Sequence, residues 1–219
     1  MEEPEEAAAP LLTFELLDEL RLRLIKQRAP VVELLSQGLD DTELDAVFLP
    51  VGLQASTEAR VWWAWSGGVP RSSVAFSNHR AVGPGRDFLE PVEAVELYQQ
   101  ARHIAEEMAS DAAAFAPNTE GATTDWWWQP GWLPITTNGA GTTIACDCLV
   151  SKGEPSPMYA VNWGARENFY EPSASSFGQM VKWWIDALDT KAWGYMPDEA
   201  RWFYDWKRVD PERQFSGLV

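Results

Sequence analysis

The side chains that could carry catalysis are few and scattered. They are two histidines and two cysteines that flank an aspartate: His79, His103, Cys146, Cys148 and Asp147. A catalytic triad needs a histidine beside a nucleophile and an orienting acid, and neither histidine stands in a recognisable nucleophile motif. The residues therefore favour a protein that is not an enzyme. The opposing hypothesis is a small hydrolase that uses Asp147 with His79 or His103.

The same residue types do not assemble a metal or cofactor site in the sequence. Two thiols fall short of the four ligands of a structural zinc site, so we expect Cys146 and Cys148 to be buried and reduced. Residues 138–141, NGAG, have the glycines of a phosphate loop, but they precede a β-like run. Phosphate loops lead into a helix N-terminus. The sequence therefore predicts no cofactor and no metal.

Asp147 is the acid with the clearest predicted role. On a strand it faces away from Cys146 and Cys148, because side chains alternate between the two faces. A carboxylate in that position is half-buried or paired with backbone N–H groups of a nearby turn. We expect Asp147 to hold the neighbouring glycine turn in place rather than to act as a catalytic acid.

These residues belong to the most distinctive stretch of the chain, residues 125–148, DWWWQPGWLPITTNGAGTTIACDC. Asn-Gly between two apolar segments is a strong hairpin signal, because both residues tolerate a positive φ. The stretch therefore predicts strand, turn and strand, with tryptophans concentrated on the first arm.

Thirteen tryptophans are more than a core of this size requires. Adjacent residues on a helix or strand cannot all face one core, so part of each tryptophan run should meet solvent, another chain or the C-terminal tail. Exposed aromatic rings rimmed by acids suit a binding interface. We therefore predict a partner-binding surface made of Trp62, Trp63, Trp126, Trp127 and Trp128. Stacking of such rings on sugars makes a carbohydrate-binding module a further alternative.

Three segments, in order, carry a family resemblance. The central one has the pattern W-x-P-hydrophobic, a turn ending in glycine, and apolar-apolar-Asp: Trp132, Pro134, Ile135, Gly139, Gly141 and Asp147. The first is Leu49-Pro50 followed by the helix-like TEARVWWAW and Ser66-Gly67-Gly68, and the last is Ala174-Ser175-Ser176-Phe177. Together they resemble the SUKH superfamily, which includes the fungal Smi/Knr cell-wall-assembly regulators and many bacterial immunity proteins.

The resemblance covers roughly residues 40–188. It implies a single α+β domain with a mostly antiparallel central sheet wrapped by helices. It also implies a non-enzymatic protein-binding function, either as an immunity protein that neutralises a toxin by covering its surface or as an intracellular scaffold or regulator.

Pro, Gly and helix-capping residues, which end or begin elements, divide the chain into four parts. We expect a disordered acidic N-terminus (1–10), an N-terminal helical extension (11–38), the SUKH-like domain (39–190) and an aromatic C-terminal tail that packs on it (191–219). The extension begins with a helix that Thr13 caps and that ends near Arg28.

Within the domain, the pattern predicts four helices. One starts at Asp41 and stops at Pro50, one spans 57–65, and one begins at Pro91 and continues to about Phe115. A last one is N-capped by Ser173 or Ser175. Strands are expected at 74–76 and 158–163, with a loop at 79–86 and a polar linker at 118–124.

The charge balance limits the possible partners. Lys and Arg number 17 against 33 Asp and Glu, a formal net charge of −16. This balance argues against nucleic acid and against anionic membranes, which need a basic surface. It suits solubility and a basic protein partner such as a toxin domain.

The first ten residues lack the features of a signal peptide and no run reaches the ~18 apolar residues of a spanning helix, so we expect a cytoplasmic location. The oligomeric state stays open.

Overall fold

The computed structural model describes residues 9–71, 77–115, 127–164 and 171–209. In these residues the chain forms a single α+β domain, as predicted, in which helices wrap a five-stranded antiparallel sheet. A separate two-stranded sheet follows near the C-terminus.

The helices and strands have the following bounds. The helices are α1 (Phe14–Lys26), α2 (Val31–Leu34), α3 (Asp41–Phe48), α4 (Thr57–Trp65), α5 (Pro91–Phe115) and α6 (Phe177–Asp189). The central sheet has the order β1 (Ala81–Gly83), β2 (Arg86–Phe88), β3 (Trp132–Thr137), β4 (Thr142–Asp147) and β5 (Met158–Asn162). The second sheet consists of β6 (Trp193–Met196) and β7 (Arg201–Tyr204).

Side-chain caps set the start of several helices. The hydroxyl of Thr13 accepts a hydrogen bond from the amide of Leu16, as the sequence predicts. For α6 the expected cap, Ser173 or Ser175, is wrong, because Ser176 accepts from the amide of Gln179. The hydroxyl of Ser173 instead accepts from the amide of Ala160 on β5.

The predicted hairpin is confirmed as β3 and β4. Gly139 and Gly141 have φ values of +66° and +96°, a region that glycine enters without steric cost. The side-chain oxygen of Asn138 accepts from the amides of Ala140 and Thr142, both at 2.9 Å, and so closes the turn.

One pair of strands was not expected from the sequence. Residues 79–86, predicted as a loop, contain β1 and the start of β2, joined by Pro84 and Gly85. These strands have three residues each, too short for an alternating pattern to show. The strand expected at 74–76 and the linker expected at 118–124 lie outside the described residues.

The C-terminal aromatic segment packs against the domain as the β6–β7 hairpin. Trp193 stacks on Trp202 with 4.8 Å between ring centroids. The side chain of Gln27, at the end of α1, accepts a 2.7 Å hydrogen bond from the amide of Tyr195. In the described parts of the chain, no helix has the length and apolar character needed to cross a bilayer.

Candidate functional site

The first tryptophan pair of the predicted partner surface is buried. Trp62 and Trp63 are both 0% exposed, so the prediction that they form an exposed surface is wrong. The reason is that α4 is packed on two sides. Trp62 lies against Phe88 of β2, at 4.2 Å between ring centroids, whereas Trp63 contacts Phe48 of α3 at 5.1 Å. The indole of Trp63 also donates to the carbonyl of Leu89.

The prediction that the second tryptophan run forms an exposed surface is also wrong for the two residues that the structure describes, Trp127 and Trp128. Trp127 and Trp128 are 0% exposed. They lie in the turn before β3 and pack with Trp163, at 5.9 and 6.3 Å between centroids. Trp128 also meets Trp132 edge-on at 5.9 Å. Trp126 lies outside the described residues.

The central motif has a structural role at both ends of the β3–β4 hairpin. Trp132 is buried and stacks on Tyr159 of β5, with 4.5 Å between centroids. Pro134 pairs with Ala145 in the sheet, next to an irregularity in the register. Gly139 and Gly141 form the exposed turn at the other end.

The predicted role of Asp147 at the glycine turn is wrong. Asp147 ends β4, whereas the glycine turn precedes Thr142, so the six-residue strand separates them. Its carboxylate instead accepts a 2.9 Å hydrogen bond from the amide of Leu149, in the chain that leaves the strand. Asp147 therefore stabilises the β4 exit, and it is half-buried as expected.

The histidines lie on other elements than Asp147. His103 is exposed on α5, where its Nε2 lies 3.4 Å from the Oε1 of Glu107. His79 lies in the 3-10 turn Ser77–Arg80. Among the described residues, no group of three or more His, Cys, Asp or Glu side chains could hold a metal ion.

A buried carboxylate that sequence reasoning missed organises the centre of the domain. Glu58, in the first turn of α4, is buried. Its Oε1 accepts from the amides of Leu12 and Gly178, at 2.7 and 2.8 Å. Its Oε2 accepts from the amides of Ser156 and Phe177. The only sequence signal is an acid in the first turn of a helix, which by itself predicts an exposed residue that favours the helix dipole.

Hydroxyl and thiol groups continue this network toward the sheet. The hydroxyl of Ser156 donates to Ser56 at 2.8 Å, and the Oγ of Ser56 lies 3.5 Å from the Sγ of Cys146. Burial raises the pKa of the Cys146 thiol well above its usual range. Cys146 is therefore a buried, protonated thiol, as predicted, and it contributes to packing rather than to nucleophilic chemistry.

A second buried ionic group joins α5 to the strands. Arg80 and Glu93 are both buried and form an ion pair. Arg80 also donates to the carbonyls of Val69 and Phe88. Nearby, burial raises the pKa of Asp87 to about 6, an effect that Arg80 opposes and Glu93 adds to. Both networks pair a buried charge, with backbone amides at Glu58 and with an opposite charge at Glu93, which is what a buried charge requires in order not to destabilise the fold.

An open groove of about 620 Å³ lies beside α4. Its walls come from the start of α1, from α3, from α4 and from the chain that connects β4 to β5. Apolar groups contribute to the lining through Phe14, Val61, Ala64 and Val150. Phe14 is 47% exposed.

Charged side chains form one edge of the groove. Arg60 of α4 pairs with Asp41 at 3.0 Å and with Asp45, both on α3. Cys148 reaches the groove from the other side and is half-buried. The expectation that both cysteines are buried is therefore correct for Cys146 alone.

Neither a scan against protein-family models nor a search of curated proteins finds a match to this chain.

Proposed function

We propose that this protein is a non-enzymatic protein-binding domain whose partner is a basic protein. The observation that carries the proposal is the open groove beside α4. It combines a large half-exposed aromatic ring, Phe14, with the carboxylates of Asp41 and Asp45. Interfaces typically place aromatic anchors in such concave sites, with charges at the rim.

The buried polar groups support a binding function over a hydrolytic one. The carboxylate of Glu58 is surrounded by four backbone amides, so it has no free oxygen with which to activate a water. The carboxylate of Asp147 accepts a hydrogen bond from the amide of Leu149. In a hydrolase, the general base must lie within hydrogen-bond reach of the proton that it removes.

The more specific form of the proposal is an immunity protein that neutralises a toxin by covering its surface. Two features support it. The net charge of −16 favours association with a basic surface. The three ordered segments that contain Leu49-Pro50, Trp132 with Asp147, and Ala174-Ser175-Ser176-Phe177 resemble the SUKH superfamily, which contains many immunity proteins. An intracellular scaffold of the same superfamily would use the same kind of surface with a different partner.

The experiment is co-expression with the products of the neighbouring genes. We expect one of these products to arrest growth when expressed alone, and the chain to restore growth and co-elute with it at a fixed ratio. An unrelated acidic protein of similar net charge is the control, because it reproduces the charge without the groove. If no neighbouring product is toxic, or if the acidic control protects equally well, the immunity proposal is wrong.

A further inference from the structure

We propose that the groove beside α4 binds a basic amphipathic segment of the partner. One large apolar side chain of that segment packs against Phe14 and Val61, and a flanking Lys or Arg pairs with Asp41 and Asp45. This inference rests on the proposed protein-binding function and adds to it the site and the chemistry of the bound segment.

The apolar half of the site is shown by the exposure of its lining. Phe14, on the first turn of α1, is 47% exposed and faces the same groove as Val61 and Ala64 of α4. A phenyl ring left half in water costs free energy that a second apolar surface recovers on contact. The groove is wide enough for one large side chain, since small-molecule pockets of ~300–1,000 Å³ hold comparable groups.

The charged half of the site is α3 with its N-cap, where carboxylates outnumber bases; the chain between β4 and β5 brings one further base, Lys152, to the groove lining. Asp41 and Asp45 share the single guanidinium of Arg60, and their side chains keep 78% and 42% exposure. Two further exposed acids, Asp40 and Glu43, lie on the same short helix or its cap. No base lies in the last turn of α3 to balance them. Because Arg60 is one base beside the four acids of α3 and its cap, a cation brought to the α3 edge meets a net negative charge.

Charge complementarity also selects between possible occupants. A second copy of the chain would bring another −16 toward the groove, and like charges oppose that association at low salt. An acidic peptide is disfavoured for the same reason. A segment with Lys or Arg beside a large apolar residue satisfies both halves of the site.

The probe is a labelled synthetic amphipathic peptide of Lys and Leu with one Trp. A version with Glu in place of Lys tests the charge, and a version with Ser in place of Leu and Trp tests the apolar contact. Fluorescence anisotropy at low salt should show binding of the first peptide only. Raising the salt to about 0.15 M should weaken it, because exposed charge pairs are screened.

Variants locate the binding on the protein. Asp41→Lys and Asp45→Lys should each weaken peptide binding roughly tenfold, since they replace attraction by repulsion at the rim. Asp198→Lys, at an exposed acid on the β6–β7 connection, makes the same charge change elsewhere and should alter affinity little. Phe14→Ala should weaken binding, whereas Leu22→Ala, at an exposed position of the same helix, should not. Thermal melts confirm that each variant is folded, and Asp41→Asn serves in place of a variant that is not.

Two outcomes overturn the inference. One is equal weakening by Asp41→Lys and Asp198→Lys, which would mean binding to the overall charge alone. The other is a cognate partner whose co-elution survives both Phe14→Ala and Asp41→Lys, in which case the proposed function stands and the groove is not its site. If no neighbouring gene product co-elutes with the chain, the proposed function is wrong, regardless of whether the synthetic peptide binds.

Discussion

The carboxylate of Glu58 accepts a 2.8 Å hydrogen bond from the amide of Gly178, which lies 120 residues further along the chain. This bond joins the first turn of α4 to the first turn of α6. Gly178 also lies against the N-terminal segment, where a Cβ atom would be 2.4 Å from the backbone of Pro10 and Leu11. The Glu58 carboxylate bonds the N-terminal segment and α6 to α4, and the absence of a Cβ atom at Gly178 lets the N-terminal segment pack against α6.

Glu58→Gln should lower the free energy of unfolding by about 2–4 kcal/mol. The amide side chain keeps one acceptor, but its NH₂ group then faces backbone donors that cannot pair with it, and a charge-assisted set of bonds is lost. Urea unfolding measures the effect. Glu96→Gln, at an exposed position of α5, is the matched control and should change stability by less than about 0.5 kcal/mol. A fully stable Glu58→Gln variant would contradict the network.

Gly178→Ala should destabilise the protein by about 1–3 kcal/mol, the usual range for overpacking. Alanine favours a helix over glycine by about 1 kcal/mol, so local propensity predicts the opposite sign. The 2.4 Å overlap with backbone atoms decides the outcome, because the N-terminal segment must move away. Chemical denaturation gives the sign directly, and a stabilised variant would show that residues 10–11 do not pack there.

Trp62→Ala and Trp128→Ala should each cost about 3–5 kcal/mol of stability, the range for truncating a large core aromatic residue. Both rings are 0% exposed, and Trp62 has ring contacts with both Phe88 and Phe177. Equilibrium unfolding together with near-ultraviolet circular dichroism tests this. Variants that remain stable but lose partner binding would instead support an interface at these rings.

The stability of the protein should depend on Asp87 between about pH 4 and pH 6. Burial raises its pKa from 3.8 to about 6 in the fold. A raised acid pKa means that the folded state favours the protonated form. This contribution is therefore fully present below pH 3.8 and is lost as the pH rises through 6.

The matching variant is Asp87→Asn. At pH 7 it should be more stable than the parent, and this advantage should disappear near pH 4. Urea midpoints at four pH values measure the difference, with Asp198→Asn as the comparison at an exposed acid. An advantage that is the same at every pH would contradict the raised pKa.

The two cysteines should react at very different rates. Cys148 lines the groove and its pKa is lowered by its contact with the Cys146 thiol, whereas burial raises the pKa of Cys146. A thiol reagent attacks the thiolate, so the native protein should show one reactive thiol and denaturant should reveal the second. The native reaction should vanish in Cys148→Ser and persist in Cys146→Ser. Persistence in Cys148→Ser would reverse the assignment.

Neighbouring residues alone determine where many elements begin and end. The sequence predicts α4 and α5 with their observed bounds, and it predicts the β3–β4 turn at Asn138 and Gly139. Capping hydroxyls, proline and positive-φ glycine act within about four residues, so a single chain shows them. The prediction of an α+β class rests partly on the order of these elements and mostly on what the resemblance implies, and the structure confirms the class.

The tertiary structure alone decides what each face of an element meets. Trp62 and Trp63 point in different directions from α4, and the sequence predicts that at least one of them meets solvent, another chain or the C-terminal tail. Both are buried because β2 covers one side of the helix and α3 the other. The backbone amides that bond Glu58 likewise could not be predicted from the sequence, since they lie 46 to 120 residues away along the chain. Burial and long-range hydrogen bonding depend on which segments pack together, and spacing within one segment carries no information about that.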